Sequence, residues 1–134
     1  MNQLLLTFYG DDFTGSTDVM EVLAMNGVPT VLFLEPPEPA ALKAIPDARA
    51  VGVAGVSRSF RTADMEDELR PAFEALLRLK SPIFHYKTCS TFDSSPQTGS
   101  IGRAIEIGRD VFGKQWVPLV VGAPRLNRFL CFGN

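Results

Sequence analysis

The sequence predicts an α/β domain with three layers, a mostly parallel sheet carrying helices on both faces. Three observations predict it. Short apolar, strand-prone runs alternate about five times with segments of helical periodicity. Polar and ionisable residues gather just beyond those runs, where open parallel sheets place their ligands. The 134 residues, 46% hydrophobic and 21% charged, suffice for one domain with a real core.

The first run is Gln3–Tyr9, bounded by Gly10 and two aspartates, and reads as a central strand buried on both faces. Residues 10–15 read as a loop. Ser16 or Thr17 then caps a helix over about 17–26, with Val19, Val22, Leu23 and Met25 among its apolar positions and Asn26-Gly27 ending it. Val28–Leu34 is a second strand, rich in β-branched residues. The Pro-rich stretch 35–39 is a stiff loop, and a short helix follows at about 39–45. Ala50–Val56 is a third strand whose small residues suit close packing, and it ends at Ser57-Arg58. A helix over about 62–80 sets Leu69, Phe73, Leu76 and Leu77 on one face. Pro82–Tyr86 is a fourth strand leading into Lys87-Thr88-Cys89-Ser90-Thr91. After a loop over 92–99, residues 100–112 have helical spacing, and Trp116–Val121 reads as a fifth strand.

Composition excludes several classes of function. The net charge of −2 argues against a general nucleic-acid binder. Basic and acidic residues number four and ten in 1–67 but nine and five in 68–134, so one polar cleft between the halves competes with ordinary solvated helix faces. No apolar run reaches the roughly 18 residues of a membrane span. Leu4–Leu6 lack a preceding basic residue and meet Asp11-Asp12 almost at once, which is no secretory leader. A cytoplasmic protein with reduced thiols is expected. One histidine and two cysteines exclude a site of several His and Cys ligands, though not a carboxylate site for Mg²⁺; no metal ligand is assigned.

The candidate chemistry lies after the strands. Arg58 has the fork to grip a carboxylate, Lys87 adds a point charge, and Asp11 or Asp12 accepts hydrogen bonds from hydroxyls. A small polyhydroxylated anion suits that set. Adjacent residues leaving a strand point to opposite sides, so one of the two aspartates faces the ligand while the other serves loop amides or a cation. Both could instead cap a turn. Gly10–Gly15 lacks the Lys-Ser/Thr of a phosphate loop, having Ser16-Thr17. Gly99-x-x-Gly102 could admit an anion to free amides or simply open a helix. His85 reads as a satisfied strand residue. Cys89 reads as small packing rather than a nucleophile, since no histidine follows it, and Cys131 and Trp116 read as core.

Gly10-Asp11-Asp12-Phe13-Thr14-Gly15-Ser16-Thr17-Asp18 resembles the opening motif of the four-carbon acid sugar kinase family. Lys87-Thr88-Cys89-Ser90-Thr91-Phe92-Asp93-Ser94-Ser95, with Gly99-Ser100-Ile101-Gly102-Arg103-Ala104, resembles its second motif. The likeness runs over essentially the whole chain. It implies a two-domain enzyme that phosphorylates threonate, erythronate, 3-oxo-tetronates or 3-oxo-isoapionate. The N-terminal domain holds the sugar acid, and the C-terminal domain holds ATP with Mg²⁺. By that resemblance Asp11, Asp12, Arg58, Lys87, Thr88, Cys89 and Ser90 bind substrate. Asp11 or Asp12 steers or deprotonates the attacking hydroxyl.

Family members run to about 400 residues or more. The resemblance therefore implies that residues 1–134 are a truncated N-terminal domain without its ATP domain, taking up no cofactor and inactive alone, with a sugar acid as partner and a homo-oligomer as a possible assembly. Two other readings compete. A phospho-acceptor signalling domain also places acids after its first strand, but here Ser57-Arg58 stands where the acceptor aspartate belongs. An interaction module would associate through apolar surface such as Phe129–Phe132.

Overall fold

A computed structural model describes residues 3–113 and 116–132 of the chain. Four parallel strands form one sheet: β1 (Leu6–Gly10), β2 (Thr30–Phe33), β3 (Ala50–Ala54) and β4 (Ile83–Lys87), in the spatial order β2-β3-β1-β4. The helices are α1 (Phe13–Met25), α2 (Pro39–Lys43), α3 (Met65–Arg78) and α4 (Ile101–Phe112). In the register, Phe8 lies between Gly52 of β3 and His85 of β4, and Gly10 lies between Ala54 and Lys87. This is the three-layer α/β fold expected.

Side chains alternate across the sheet, so Thr7 and Tyr9 face one way and Phe8 and Gly10 the other. The Tyr9 face carries the main core. Val51, Val53 and Leu42 of α2 meet Met65, Leu69, Phe73 and Leu76 of α3, backed by Ala104 and Ile107 of α4. Aromatic rings tie this layer together, with Phe73 edge-on to Tyr9, Phe84 and Tyr86, and Phe84 stacked on Phe112 at 4.2 Å. Arg103 pairs with Glu66 at 2.7 Å and Arg70 with Asp110 at 3.3 Å, so α3 and α4 are also linked at their rims.

On the opposite face lies α1. It packs closely on β3, as the small residues of that strand lead one to expect, and the Phe8 ring fills the space over Gly52, where a Cβ would sit 2.1 Å from it. Among α1 residues only Gly15 and Ser16 are buried, and Phe13, Val22 and Met25 are exposed.

Several expectations are corrected. The segment 10–15 is not a loop, because α1 begins at Phe13, capped by Asp12 rather than by Ser16 or Thr17. Ser16 is instead buried, its hydroxyl donating to the Asp12 carbonyl at 2.6 Å. The helix over about 62–80 is a 3₁₀ turn at Thr62–Asp64 followed by α3, and Leu77 faces outward. Residues 116–121 form no strand. Pro118 removes one ladder donor, and a strand needs a paired neighbour as well as β-prone residues. Trp116, 75% exposed, and Cys131, also exposed, are therefore not core. No helix among the described residues is long and apolar enough to cross a membrane.

Candidate functional site

The chain leaving β1 enters α1 on one face, whereas the chains leaving β3 and β4 lead to α3 and α4, packed together on the other. Neighbouring strands whose successors diverge open a crevice at their carboxyl ends. Backbone bonds stitch the three exits together. The Asp11 amide donates to the Lys87 carbonyl at 2.9 Å, and the Arg58 amide donates to the Asp11 carbonyl at 3.3 Å. The long segment after β4 then folds back, with Gly99 N–H donating to Phe60 O at 2.9 Å and Thr62 N–H to Gln97 O at 2.8 Å.

Within the crevice the two aspartates have separate tasks. Asp12 caps α1 by accepting the Gly15 amide at 2.6 Å and takes Arg58 Nη1 on Oδ2 at 3.0 Å. Burial pushes its carboxyl up, but hydrogen bonds from the Cys89 thiol, the Gly15 amide and Arg58 outweigh this and hold it below the usual range. Asp11 is 3% exposed, and its Oδ1 has no hydrogen-bond partner among the described residues. Burial first, then the neighbouring Asp12 charge, raises its carboxyl to about 6. The Cys89 amide, Arg58 and Lys87 offset only part of that rise.

Lys87 reaches across to α1. A Cβ on Gly15 would lie 3.2 Å from its Nζ, which donates to the Thr88 carbonyl at 2.7 Å. Thr88 thus contributes its backbone, whereas Ser90 is exposed and takes no hydrogen bond in the cluster. Ser57 is buried beneath Arg58, its hydroxyl 2.9 Å from Tyr86 Oη, and Tyr9 Oη donates to Glu68 at 2.9 Å. Burial raises both phenols far above their ordinary range, so this floor stays neutral.

The structure brings together Asp11, Asp12, Arg58, Lys87 and Cys89, and adds one residue that sequence reasoning missed. Asp93 Oδ2 accepts from Arg58 Nη2 at 2.8 Å and from the Thr91 hydroxyl at 2.7 Å. The signal was available, since Asp93 belongs to the loop leaving a strand. What hid it was the distance of six residues from the end of β4. His85, on an edge strand, is exposed. Arg125 sits in a 3₁₀ turn at Pro124–Leu126 and joins none of the hydrogen bonds of the cluster.

The crevice does not fit a nucleotide triphosphate. Asp12 already occupies the Gly15 amide of α1, and the adjacent Asp11 and Asp12 carboxylates at the start of that helix would repel a phosphate. At the start of α4 the Ile101 and Arg103 amides are held by Ser94 and Ser100 hydroxyls, at 3.0 and 3.1 Å, so the Gly99–Gly102 segment opens a helix that caps itself. Among the described residues no group of three or more His, Cys, Asp or Glu side chains is arranged to hold a metal ion.

Comparison with known proteins supplies the family. A family model described as a sugar-binding N-terminal domain matches residues 6–134. The chain is 56% identical over 131 residues to a 3-oxo-isoapionate kinase of Paraburkholderia graminis, covering 98% of this chain and 28% of that protein. It is 38% identical over 130 residues to a 3-oxo-tetronate kinase of Burkholderia multivorans, covering 97% of this chain and 29% of that protein. It thus spans under a third of the length of either relative. A solved structure from Salmonella typhimurium LT2, provisionally described as a tRNA synthase, superposes with a TM-score of 0.73 at 27% identity, over 86% of this chain and 26% of that one. A Bordetella bronchiseptica domain of unknown function shares the fold, with a TM-score of 0.66 at 23% identity over 82% of this chain and 26% of that one. With its motifs, its fold and its relatives in agreement, the chain belongs to the sugar-binding N-terminal domain family of the four-carbon acid sugar kinases.

Proposed function

We propose that this chain is the sugar-acid-binding part of an ATP-dependent kinase and that the crevice at the ends of β1, β3 and β4 holds the acid. The observation that carries the reading is the convergence of Asp11, Asp12, Arg58 and Lys87 from three separate strand exits. Arg58 takes the substrate carboxylate, with Lys87 adding positive charge. Asp12 is committed to α1 and Arg58, so Asp11 is the acid left to face substrate hydroxyls. Its Oδ1 is buried without a hydrogen-bond partner among the described residues, and a value near 6 would let the carboxylate accept a proton from the attacking hydroxyl at neutral pH once substrate reaches it.

In this reading ATP, which supplies the phosphoryl group, is bound by a second domain of the whole protein. The kinship with relatives more than three times as long supports that division. The 56% identity with a 3-oxo-isoapionate kinase favours a branched 3-oxo sugar acid over the linear tetronates. Calorimetric titration with 3-oxo-isoapionate, 3-oxo-tetronate, threonate and erythronate tests both points. Arg58→Ala is expected to weaken binding by about 1.5–3 kcal/mol, the size of a hydrogen bond to a charged group. Unchanged affinity in that variant would remove Arg58 from the site.

A further inference from the structure

Arg58 has two carboxylates on one guanidinium. Nη1 is held by Asp12 at 3.0 Å and Nη2 by Asp93 at 2.8 Å. A forked grip on a substrate carboxylate needs two parallel N–H donors, and one edge of Arg58 is already taken. We propose that Asp93 is an internal competitor for the substrate carboxylate: it holds the outer edge of Arg58 and is displaced when the acid binds. This rests on the reading of the crevice as a sugar-acid site and adds to it a step that sets affinity.

The two carboxylates are not equally free to leave. The Asp12 side chain is 19% exposed and also caps α1 through the Gly15 amide. The Asp93 side chain is 69% exposed, and apart from Arg58 its partner is the Thr91 hydroxyl. The backbone that delivers Asp93 is strained. Phe92 has φ +56, a left-handed conformation that side-chain-bearing residues rarely adopt, in a turn closed by Phe92 N–H on Cys89 O at 2.9 Å. Relaxation at Phe92 would carry Asp93 away from Arg58, and there is room for it. An open groove of about 440 Å³, lined by Phe92, Asp93, Ser94, Ser95 and Thr98, lies alongside.

Charge points the same way. Three carboxylates, of Asp11, Asp12 and Asp93, surround two cations, Arg58 and Lys87. An arriving sugar acid would make four against two. Exchange of Asp93 for the substrate carboxylate keeps the balance at three against two.

The test is titration of the 134-residue chain and its variants with 3-oxo-isoapionate and threonate, with far-UV circular dichroism to confirm folding. Asp93→Asn is expected to bind about threefold to fivefold more tightly than the parent, since the acid no longer displaces an exposed ion pair. The gain should vanish when Arg58→Ala is also present. Weaker binding by Asp93→Asn would overturn the proposal by making Asp93 a ligand of the substrate. Unchanged binding by Asp93→Asn, with Arg58→Ala still weak, would also overturn it but leave the site standing. If the folded parent and all variants bind neither acid, the site reading itself fails and the competitor with it.

Discussion

Asp11 and Asp12 are one peptide bond apart and experience opposite fields. Asp12 is held ionised by its partners, while Asp11 is kept near 6 chiefly by burial. A carboxyl raised in the fold from 3.8 to about 6 binds more protons folded than unfolded across that interval. Its contribution to stability is therefore full below about pH 4 and is lost as pH rises through 6. Asp11→Asn should remove that loss. At pH 7 it is expected to unfold with a stability higher by on the order of 3 kcal/mol, from about two units at 1.36 kcal/mol each. Below about pH 4 the gain should disappear, and sugar-acid binding should be lost throughout. Urea denaturation of both proteins from pH 3.5 to 8 measures this. A variant no more stable than the parent at pH 7 would mean that the buried charge is compensated. From sequence the division of labour between the two aspartates is expected, but not which of them takes which task. That depends on Arg58 and Cys89, which lie 46 or more residues away and reach Asp12 only in the fold.

At the level of elements, the positions of strands β1 to β4 and of helices α3 and α4 were legible because alternation and helical spacing are local signals. The start of α1 was not. Gly10-Asp11-Asp12 reads as a loop, yet Gly15 lies in the first turn for want of space. A Cβ there would come 2.6 Å from Asp12 Oδ1. Residues 116–121 failed for the converse reason: their β propensity is local, but a ladder partner is not. Gly99 shows how far the site depends on such non-local packing. Its φ is +59, and a Cβ would lie 2.3 Å from the Arg58 carbonyl oxygen. Gly99→Ala should therefore cost about 1–2 kcal/mol from the left-handed backbone alone. The clash should also push Arg58 out of register and weaken acid binding. Gly27→Ala is the control, with φ +78 and nothing within 4 Å of a Cβ. It should cost similar backbone strain in thermal unfolding without touching affinity. Equal losses of affinity in both variants would mean that Gly99 does not position Arg58.

Taken as a whole, the molecule is unevenly covered. The Tyr9 face of the sheet is sealed by α2, α3 and α4, whereas Ile83 on the outer strand β4 is 56% exposed, and among the described residues that strand pairs only with β1. Parallel sheets are ordinarily covered on both faces, and an open strand edge offers unpaired amides and carbonyls to another chain. Beyond α4 the apolar side chains of Trp116, Leu119, Val120, Phe129 and Leu130 are exposed as well. Exposed apolar side chains and an open strand edge each favour association, because burying apolar surface is driven by the release of the water that covers it. The 134-residue chain is therefore expected to self-associate as concentration rises, more strongly in sulfate, which strengthens apolar burial. Light scattering should find a mass that climbs above 14.7 kDa. Val120→Lys with Phe129→Lys should return it to monomer while sugar-acid affinity stays as in the parent, since neither residue joins the Arg58 cluster. A concentration-independent monomer would show that this surface does not associate.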